Sequence, residues 1–238
     1  MRRFASEAHD LDVDFTAPAP AVAAELLRRC ASLTADAAWD LAVGERIAWL
    51  LRLAMLSKPG PLTVVRRCAS PSCGRAIEIE ITEQDLREWT AGAAAQAEVD
   101  VAGRATRIRR PTGRDQRDWM TQAWTDRDTA RRAIARALVN ADPDRDLDAG
   151  ALSAIESALA RIDPLVDFTL TIVCPWCAAH ASHAIDLERE ALTTLRAAHE
   201  RLLLTVARLA TKFHWTESAI FALPAWRRER YLALADAS

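Results

Sequence analysis

The hydrophobic positions of this chain recur mostly at helical spacing. Apolar residues repeat every three to four positions over 21–33, 35–56 and 188–235, which is the pattern of helices with one buried face. Within the second segment, Ile47 and Leu51 fall on one such face together with their apolar neighbours. The pattern therefore predicts a chain that is predominantly helical.

Two shorter segments, 62–81 and 166–187, have a different pattern. Each contains two β-branched or alternating runs separated by a tight turn that carries cysteines, which predicts a β-hairpin. A third alternating stretch near 98–109 predicts a small hairpin. Thr82, followed three residues later by an acidic residue, predicts a helix N-terminus directly after the first hairpin.

The order of these elements predicts an α+β fold in which two Cys-containing hairpins, together resembling a split zinc ribbon, are surrounded by helices. Helices, hairpin and helix occur twice in succession, which suggests an imperfect internal duplication. We expect a mobile amino-terminal arm over 1–20, because that stretch is largely polar and ends in an Ala-Pro repeat. The helical body then covers 21–187, and a carboxyl-terminal helical segment covers 188–238.

Composition narrows the classes of partner. The chain has 238 residues and a formal net charge of −2, so no global positive field favours nucleic acid or an anionic membrane. No apolar run reaches the roughly 18–20 residues that a bilayer span needs, and the amino terminus lacks the apolar core of a secretory signal. We therefore expect a cytoplasmic protein without a membrane or nucleic-acid partner.

The cysteines supply the strongest chemical signal. Cys68 and Cys73 lie in the turn of the first hairpin, and Cys174 and Cys177 lie in the turn of the second. Four thiolates in two close pairs form an ordinary structural zinc site, and thiols of a cytoplasmic protein stay reduced. Cys30 is unpaired and is expected to be a small buried hydrophobic residue.

Alternatives to this zinc site remain open at the level of sequence. The cysteines can be two sets of buried thiols, or a histidine, His180 or His183, can serve as a ligand. The sequence Cys174-Pro-Trp-Cys177 also resembles the dithiol motif of glutaredoxins, but mostly helix follows it. A glycine-rich phosphate loop and a Gly-x-Ser-x-Gly elbow are both absent from the sequence, and we expect no enzymatic activity and no small-molecule substrate.

The carboxyl-terminal segment combines aromatic residues with arginines, the residue types that dominate protein–protein hot spots. It is therefore the expected partner-binding surface. An alternative is DNA reading, but a glutamate interrupts the arginines and no second basic stripe accompanies them. The residues expected to contact a partner are Phe213, Trp215, Ile220, Trp226, Arg227, Arg228 and Tyr231.

Several motifs resemble those of one family. The tail Phe213-His-Trp-Thr-Glu, followed by Ile-Phe-Ala-Leu-Pro and Arg-Arg-Glu-Arg-Tyr-Leu, is similar to a signature encoded in contractile-tail gene clusters. The segments 41–53, 77–86 and 107–115 resemble elements of the baseplate-hub assembly proteins, or baseplate chaperones, of contractile phage tails and phage-tail-like injection systems. The resemblance spans roughly residues 35 to 235, and the x4 spacing of the first cysteine pair departs from it.

This resemblance implies a non-enzymatic role in tail assembly, without catalytic residues. The expected partners are baseplate-hub, tube or tape-measure proteins, and the expected location is the cytoplasm or an assembled tail-like particle. The function predicted from the sequence is thus a zinc-stapled assembly factor or minor structural protein. The alternatives are a zinc-ribbon regulator that binds nucleic acid, and a thiol oxidoreductase that uses Cys174 and Cys177.

Overall fold

The computed structural model describes residues 1–58, 60–101, 103–139 and 147–236. Residue 102 of the predicted small hairpin and the last two residues of the predicted carboxyl-terminal segment lie outside this part. Within it the fold is α+β, with 55% helix and 15% strand. The predicted helical majority with small antiparallel hairpins is therefore confirmed.

Groups of helices alternate with pairs of strands along the described chain, and the six strands form three separate antiparallel hairpins: the first strand with the second, the third with the fourth, and the fifth with the sixth. The helices are α1 (Ala19–Cys30), α2 (Ala35–Asp40), α3 (Val43–Ser57), α4 (Glu83–Thr90), α5 (Gly113–Met120), α6 (Arg127–Val139), α7 (Ala149–Ile162), α8 (Leu187–Phe213), α9 (Glu217–Ala222) and α10 (Ala225–Asp236). The strands are β1 (Leu62–Arg67), β2 (Ala76–Ile81), β3 (Gln96–Asp100), β4 (Ala105–Arg109), β5 (Thr169–Val173) and β6 (His180–Ala184).

Side-chain caps start several of these helices, and one of the caps lies where the sequence predicts a helix start. The Thr82 hydroxyl accepts a hydrogen bond from the backbone N–H of Asp85 at 3.2 Å, and the Asp85 carboxylate accepts one from the Thr82 N–H at 2.8 Å. This reciprocal arrangement is a capping box, and Thr112 forms the same arrangement at the start of α5. The predicted helix start at Thr82 is confirmed.

The helix expected over 35–56 is interrupted at Leu41 and Ala42. Ala42 forms an antiparallel bridge with Thr112, the Val43 N–H donates to the Pro111 carbonyl at 2.8 Å, and the Gly113 N–H donates to the Leu41 carbonyl at 3.1 Å. A distant chain segment thus takes backbone bonds that a continuous helix would make internally. Hydrophobic spacing carries no signal of such a long-range bridge, so the sequence predicted one helix instead of α2 and α3.

The main core forms where α3 packs along α8. The inner faces of α1 and of the β1–β2 hairpin complete it, with Leu26, Leu50 and Leu62 all buried. A second, smaller core lies between the β3–β4 hairpin and the helices α6 and α7, around Ile108 and Ile155. Because α8 borders the main core and begins directly after the β5–β6 hairpin, it links the second Cys turn to the body.

The sequence predicts a mobile arm over residues 1–20, but in this structure the first eighteen of them contact the body and the last two begin α1. Phe4 is fully buried, and its N–H donates to the Ser57 hydroxyl at 3.0 Å. Asp10 is also buried and forms an ion pair with Arg2. The prediction rested on the polar composition of this stretch. Its two aromatic residues, Phe4 and Phe15, each bury a large ring and attach the stretch to the body.

Candidate metal centre

The two Cys turns have closely related backbone conformations. The N–H of Cys68 donates to the Arg75 carbonyl at 2.9 Å, and the N–H of Cys174 donates to the Ala179 carbonyl at the same distance. The residue after the second cysteine of each pair has a positive φ, 54° at Gly74 and 56° at Ala178. The left-handed conformation suits glycine at the first position and is strained for alanine at the second. Each turn is therefore closed by a hydrogen bond from its first cysteine to the second residue after its last cysteine.

The wide x4 spacing of the first pair has a local explanation. In the second turn the N–H of Ala178 donates to the Cys174 carbonyl at 2.9 Å, and in the first turn the N–H of Gly74 donates to the Ser70 carbonyl at 3.0 Å. Ser70 thus occupies the backbone position that Cys174 occupies in its own turn. The thiol is supplied from two residues earlier by Cys68, whose sulfur accepts from the Ser70 N–H at 3.4 Å.

The four sulfur atoms come together between the hairpins. All four lie within 4.8 Å of one another, with Cys68 Sγ 3.6 Å from Cys177 Sγ and Cys73 Sγ 3.8 Å from Cys174 Sγ. Metal–sulfur bonds of about 2.3 Å in a tetrahedral site place neighbouring sulfurs about 3.8 Å apart. A disulfide would need about 2.05 Å, and these cysteines are free thiols. The spacing therefore fits four-thiolate coordination of one metal ion, as predicted from the sequence.

The cluster has a buried side and an open side. Cys174 is 2% exposed and Cys68 is also buried, whereas Cys177 is exposed. Apolar side chains of the two hairpins, Ile77 and Ile172 among them, pack beneath the sulfurs. A metal ion bound here would lie at the rim of the body, with one ligand facing solvent.

The electrostatics of the cluster favour a bound cation. The Ser70 N–H lowers the pKa of Cys68, but burial and the neighbouring thiols outweigh it and raise that pKa to about 12. Burial raises the pKa of Cys174, yet the N–H groups of Trp176 and Cys177 outweigh it and lower that pKa to about 7. Cys174 therefore ionises readily, whereas a positive charge among the sulfurs would favour ionisation of Cys68.

The two candidate histidines do not join this cluster, whose members are all cysteines. His180 begins β6 and is exposed, and His183 lies farther along the same strand, opposite Leu170. The Nε2 atom of His183 is buried without a hydrogen-bond partner among the described residues. The side chains that could hold a metal ion here are thus those of Cys68, Cys73, Cys174 and Cys177.

Contacts to the body hold both hairpins in place. Arg66 of β1 forms a 3.0 Å ion pair with Glu190 of α8. Before β5, the ring of Phe168 packs on Trp89 of α4 at a centroid distance of 4.4 Å. Because each hairpin is attached separately, the four thiols converge through the fold and not only through the chain segment between them.

The residues expected to contact a partner divide into two groups. Phe213, Trp215 and Tyr231 form a cluster of half-buried rings with centroids 4.8 to 5.9 Å apart. Trp226 is 68% exposed, and Arg227 lies over the Tyr231 ring on the same helix. Ile220 and Arg228 are buried instead, so in this structure they hold the segment to the body and are not available to a partner.

A buried polar network was missed at the level of sequence. Arg46 of α3 is fully buried and donates to Glu188 of α8 at 3.0 Å and to Gln116 of α5. The available signal was an arginine inside an otherwise apolar helix face, because a charge in that position needs a partner. Arg46 therefore links three helices that are far apart in sequence.

A second missed contact caps α3. The carboxylate of Asp163 accepts a hydrogen bond from the Gly44 N–H at 3.2 Å, 119 residues away. Burial raises the pKa of Asp163 to about 6, although the Gly44 N–H and Arg110 oppose this shift. A Cβ at Gly44 would lie 1.9 Å from Asp163 Oδ1, so glycine is required there by close approach.

Comparison with protein-family models, curated proteins and solved structures finds no match to this chain. In the described part, none of the helices combines the length and the apolar character that a bilayer crossing requires. Function must therefore be inferred from the chain's own residues and motifs.

Proposed function

We propose that the four cysteines bind one structural zinc ion in a split, zinc-ribbon-like site. The supporting observation is the convergence of four thiols at tetrahedral spacing from two separately anchored hairpins. Zinc prefers four thiolates in closed structural sites. The similar backbone hydrogen bonds of the two turns support an origin of the hairpins by duplication.

A structural role follows from the donor set. Four protein ligands leave no coordination position open for water or substrate, unlike the three-ligand sites of zinc hydrolases. Dithiol catalysis requires that the first cysteine of the Cys-x2-Cys pair be accessible, whereas Cys174 is buried against the other hairpin. Bound zinc would instead stabilise the junction of the two hairpins, since metal affinity contributes to the free energy of folding.

At the level of biological function, we propose a non-enzymatic assembly factor or minor structural protein of a contractile tail or injection system. The resemblance of segments 41–53, 77–86 and 107–115 to baseplate-hub assembly proteins supports this role, and so does the similarity of the tail from Phe213 onwards to a signature encoded in contractile-tail gene clusters. The proposed partners are baseplate-hub, tube or tape-measure proteins. The exposed side chain of Trp226 on α10 supports a partner-binding surface there, because tryptophan and arginine dominate interface hot spots.

Binding of purified candidate partners tests the proposal. The native chain is titrated with purified hub, tube and tape-measure proteins of a contractile-tail gene cluster. One of them should bind, and Trp226→Ala should weaken that binding at least about tenfold, as expected for a hot-spot residue. Trp176→Ala is the matched control, because Trp176 is 50% exposed in the second Cys turn.

Two results would count against the proposal. If none of these tail proteins binds, the assembly role fails. If a tail protein binds but Trp226→Ala and Trp176→Ala bind it equally well, the assembly role is kept. The surface around Trp226 is then not the partner-binding surface.

A further inference from the structure

A cavity of about 240 Å³ lies where α8, α10, the end of α3 and the amino-terminal segment meet. Its volume is below the roughly 300 Å³ at which pockets for drug-sized ligands begin, so it suits a small ligand. The side chains that give it polar character are Arg3, Ser57, Arg201, Thr205, Arg228 and Glu229. Three of these six carry a guanidinium group.

Arg228 is a buried charge that forms no ion pair with a described carboxylate, and the neighbouring Glu229 offsets its burial only in part. Arg228 is 4% exposed, and among the described residues no carboxylate forms an ion pair with it. Its Nη2 donates to the Ser6 carbonyl at 2.7 Å, its guanidinium lies 4.6 Å from the centroid of the Phe221 ring, and its Nη1 is buried without a partner in the described part. A buried charge without an ion pair is costly, and burial lowers the pKa of Arg228 although the charge of Glu229 opposes this shift.

The other charged side chains around the cavity increase its excess of positive charge. Arg3 and Arg201 are exposed and take part in no ion pair within the described chain, while Glu229 is the one carboxylate among the described lining residues. The lining thus carries a net charge of about +2, from three guanidinium groups and one carboxylate. Ser57 accepts from the Phe4 N–H through its oxygen, which leaves its own O–H free to donate.

We propose that this cavity binds a small multivalent oxyanion of the phosphate type. Guanidinium groups bind phosphate oxygens through charge-assisted hydrogen bonds, and a dianion neutralises the excess charge of the lining. The anion would connect Arg228 of α10, Arg201 of α8 and Arg3 of the amino-terminal segment. Its binding would therefore stabilise the docked position of α10, the helix that carries Trp226.

Isothermal titration calorimetry of the native full-length chain with inorganic phosphate and with pyrophosphate tests the proposal. Ionic strength is held constant with sodium chloride, which separates a site from general screening. We expect saturable binding of one anion per chain, with pyrophosphate binding more tightly than phosphate. Hydrogen exchange of the α10 amides should slow when either anion is added.

Three variants locate the site. Arg201→Gln changes an exposed side chain at the rim and should weaken anion binding about three- to tenfold, because one charge-assisted contact is lost. Arg228→Met keeps an unbranched side chain beside Phe221 and should abolish binding. Arg230→Gln is the matched control, since Arg230 is an exposed arginine of the same helix that does not line the cavity.

The proposal is overturned if neither phosphate nor pyrophosphate gives a saturable binding signal larger than that of sodium chloride titrated at the same ionic strength. It is also overturned if Arg230→Gln weakens binding as much as Arg201→Gln, because the anion would then respond to the general charge of α10. Arg201→Gln keeps the test decisive if Arg228→Met does not fold.

Discussion

Replacing Glu188 with glutamine should destabilise the fold much more than an ordinary surface substitution. The carboxylate lies 3.0 Å from Arg46, which is fully buried, while Glu188 itself is 15% exposed. Among the described residues it is the only anion paired with Arg46, whose Nε and Nη1 already lack partners. The substitution therefore leaves a buried guanidinium with no compensating charge.

The expected cost follows from this geometry. Coulomb's law at 3.0 Å gives about 5 to 6 kcal/mol for an effective dielectric constant of about 20. Glutamine keeps a neutral hydrogen bond to Arg46 worth about 1 kcal/mol. Because position 188 is partly exposed, water can also replace part of the lost electrostatic attraction. We expect Glu188→Gln to lower the free energy of unfolding by about 2 to 4 kcal/mol, near the range for broken buried pairs.

Urea denaturation followed by circular dichroism measures this change. Glu190→Gln is the matched control: Glu190 lies on the same helix, also 3.0 Å from an arginine, but that pair is partly exposed on both sides and should contribute at most about 1 kcal/mol. The double variant Arg46→Met, Glu188→Gln should recover stability, because it removes the buried charge itself. A loss below about 1 kcal/mol for Glu188→Gln, or a double variant less stable than the single one, would refute the reasoning.

Three further predictions concern pH, close packing and the metal centre. Since burial raises the pKa of Asp163 from 3.8 to about 6, the folded state holds its proton more tightly. As pH rises from about 4 to 6, the free energy of unfolding of the wild type should therefore fall by about 2 to 3 kcal/mol relative to that of Asp163→Asn. A difference in unfolding free energy between the two proteins that does not change with pH, measured by urea denaturation, would contradict this. Gly44→Ala should lower the free energy of unfolding by about 1 to 3 kcal/mol, whereas Gly150→Ala, whose new Cβ meets nothing closer than 3.4 Å, should not; equal effects would remove the close-packing explanation. Cys174→Ser should release the metal and lower the melting temperature, while Cys30→Ser should keep full metal content; metal retained in Cys174→Ser would exclude this donor set.

Local sequence patterns were sufficient to predict the Cys hairpins. The alternation over 62–81 corresponds to β1 and β2, whose register pairs Leu62 with Ile81. The run that ends at Cys174 likewise corresponds to β5. These elements are predictable because period-two alternation and turn residues are properties of consecutive residues. The convergence of the four cysteines was predicted from metal chemistry, which requires four ligands to meet.

Features that depend on distant contacts could not be predicted in the same way. The break between α2 and α3 arises from the bridge of Ala42 to Thr112. The packing of the amino-terminal segment depends on Phe4 reaching Ser57, and the cavity beside Arg228 exists only once α10 has docked. None of these contacts leaves a periodic pattern, because each joins residues that are far apart in the chain.

The central claim is that the two hairpins share one zinc ion. Its most direct test is elemental mass spectrometry of the native full-length protein, combined with thiol titration before and after chelation. The account predicts one zinc per chain, with Cys68, Cys73, Cys174 and Cys177 protected until the metal is removed, since zinc-bound thiolates are shielded from alkylation. A protein without metal, whose exposed Cys177 and low-pKa Cys174 react at once, would contradict it.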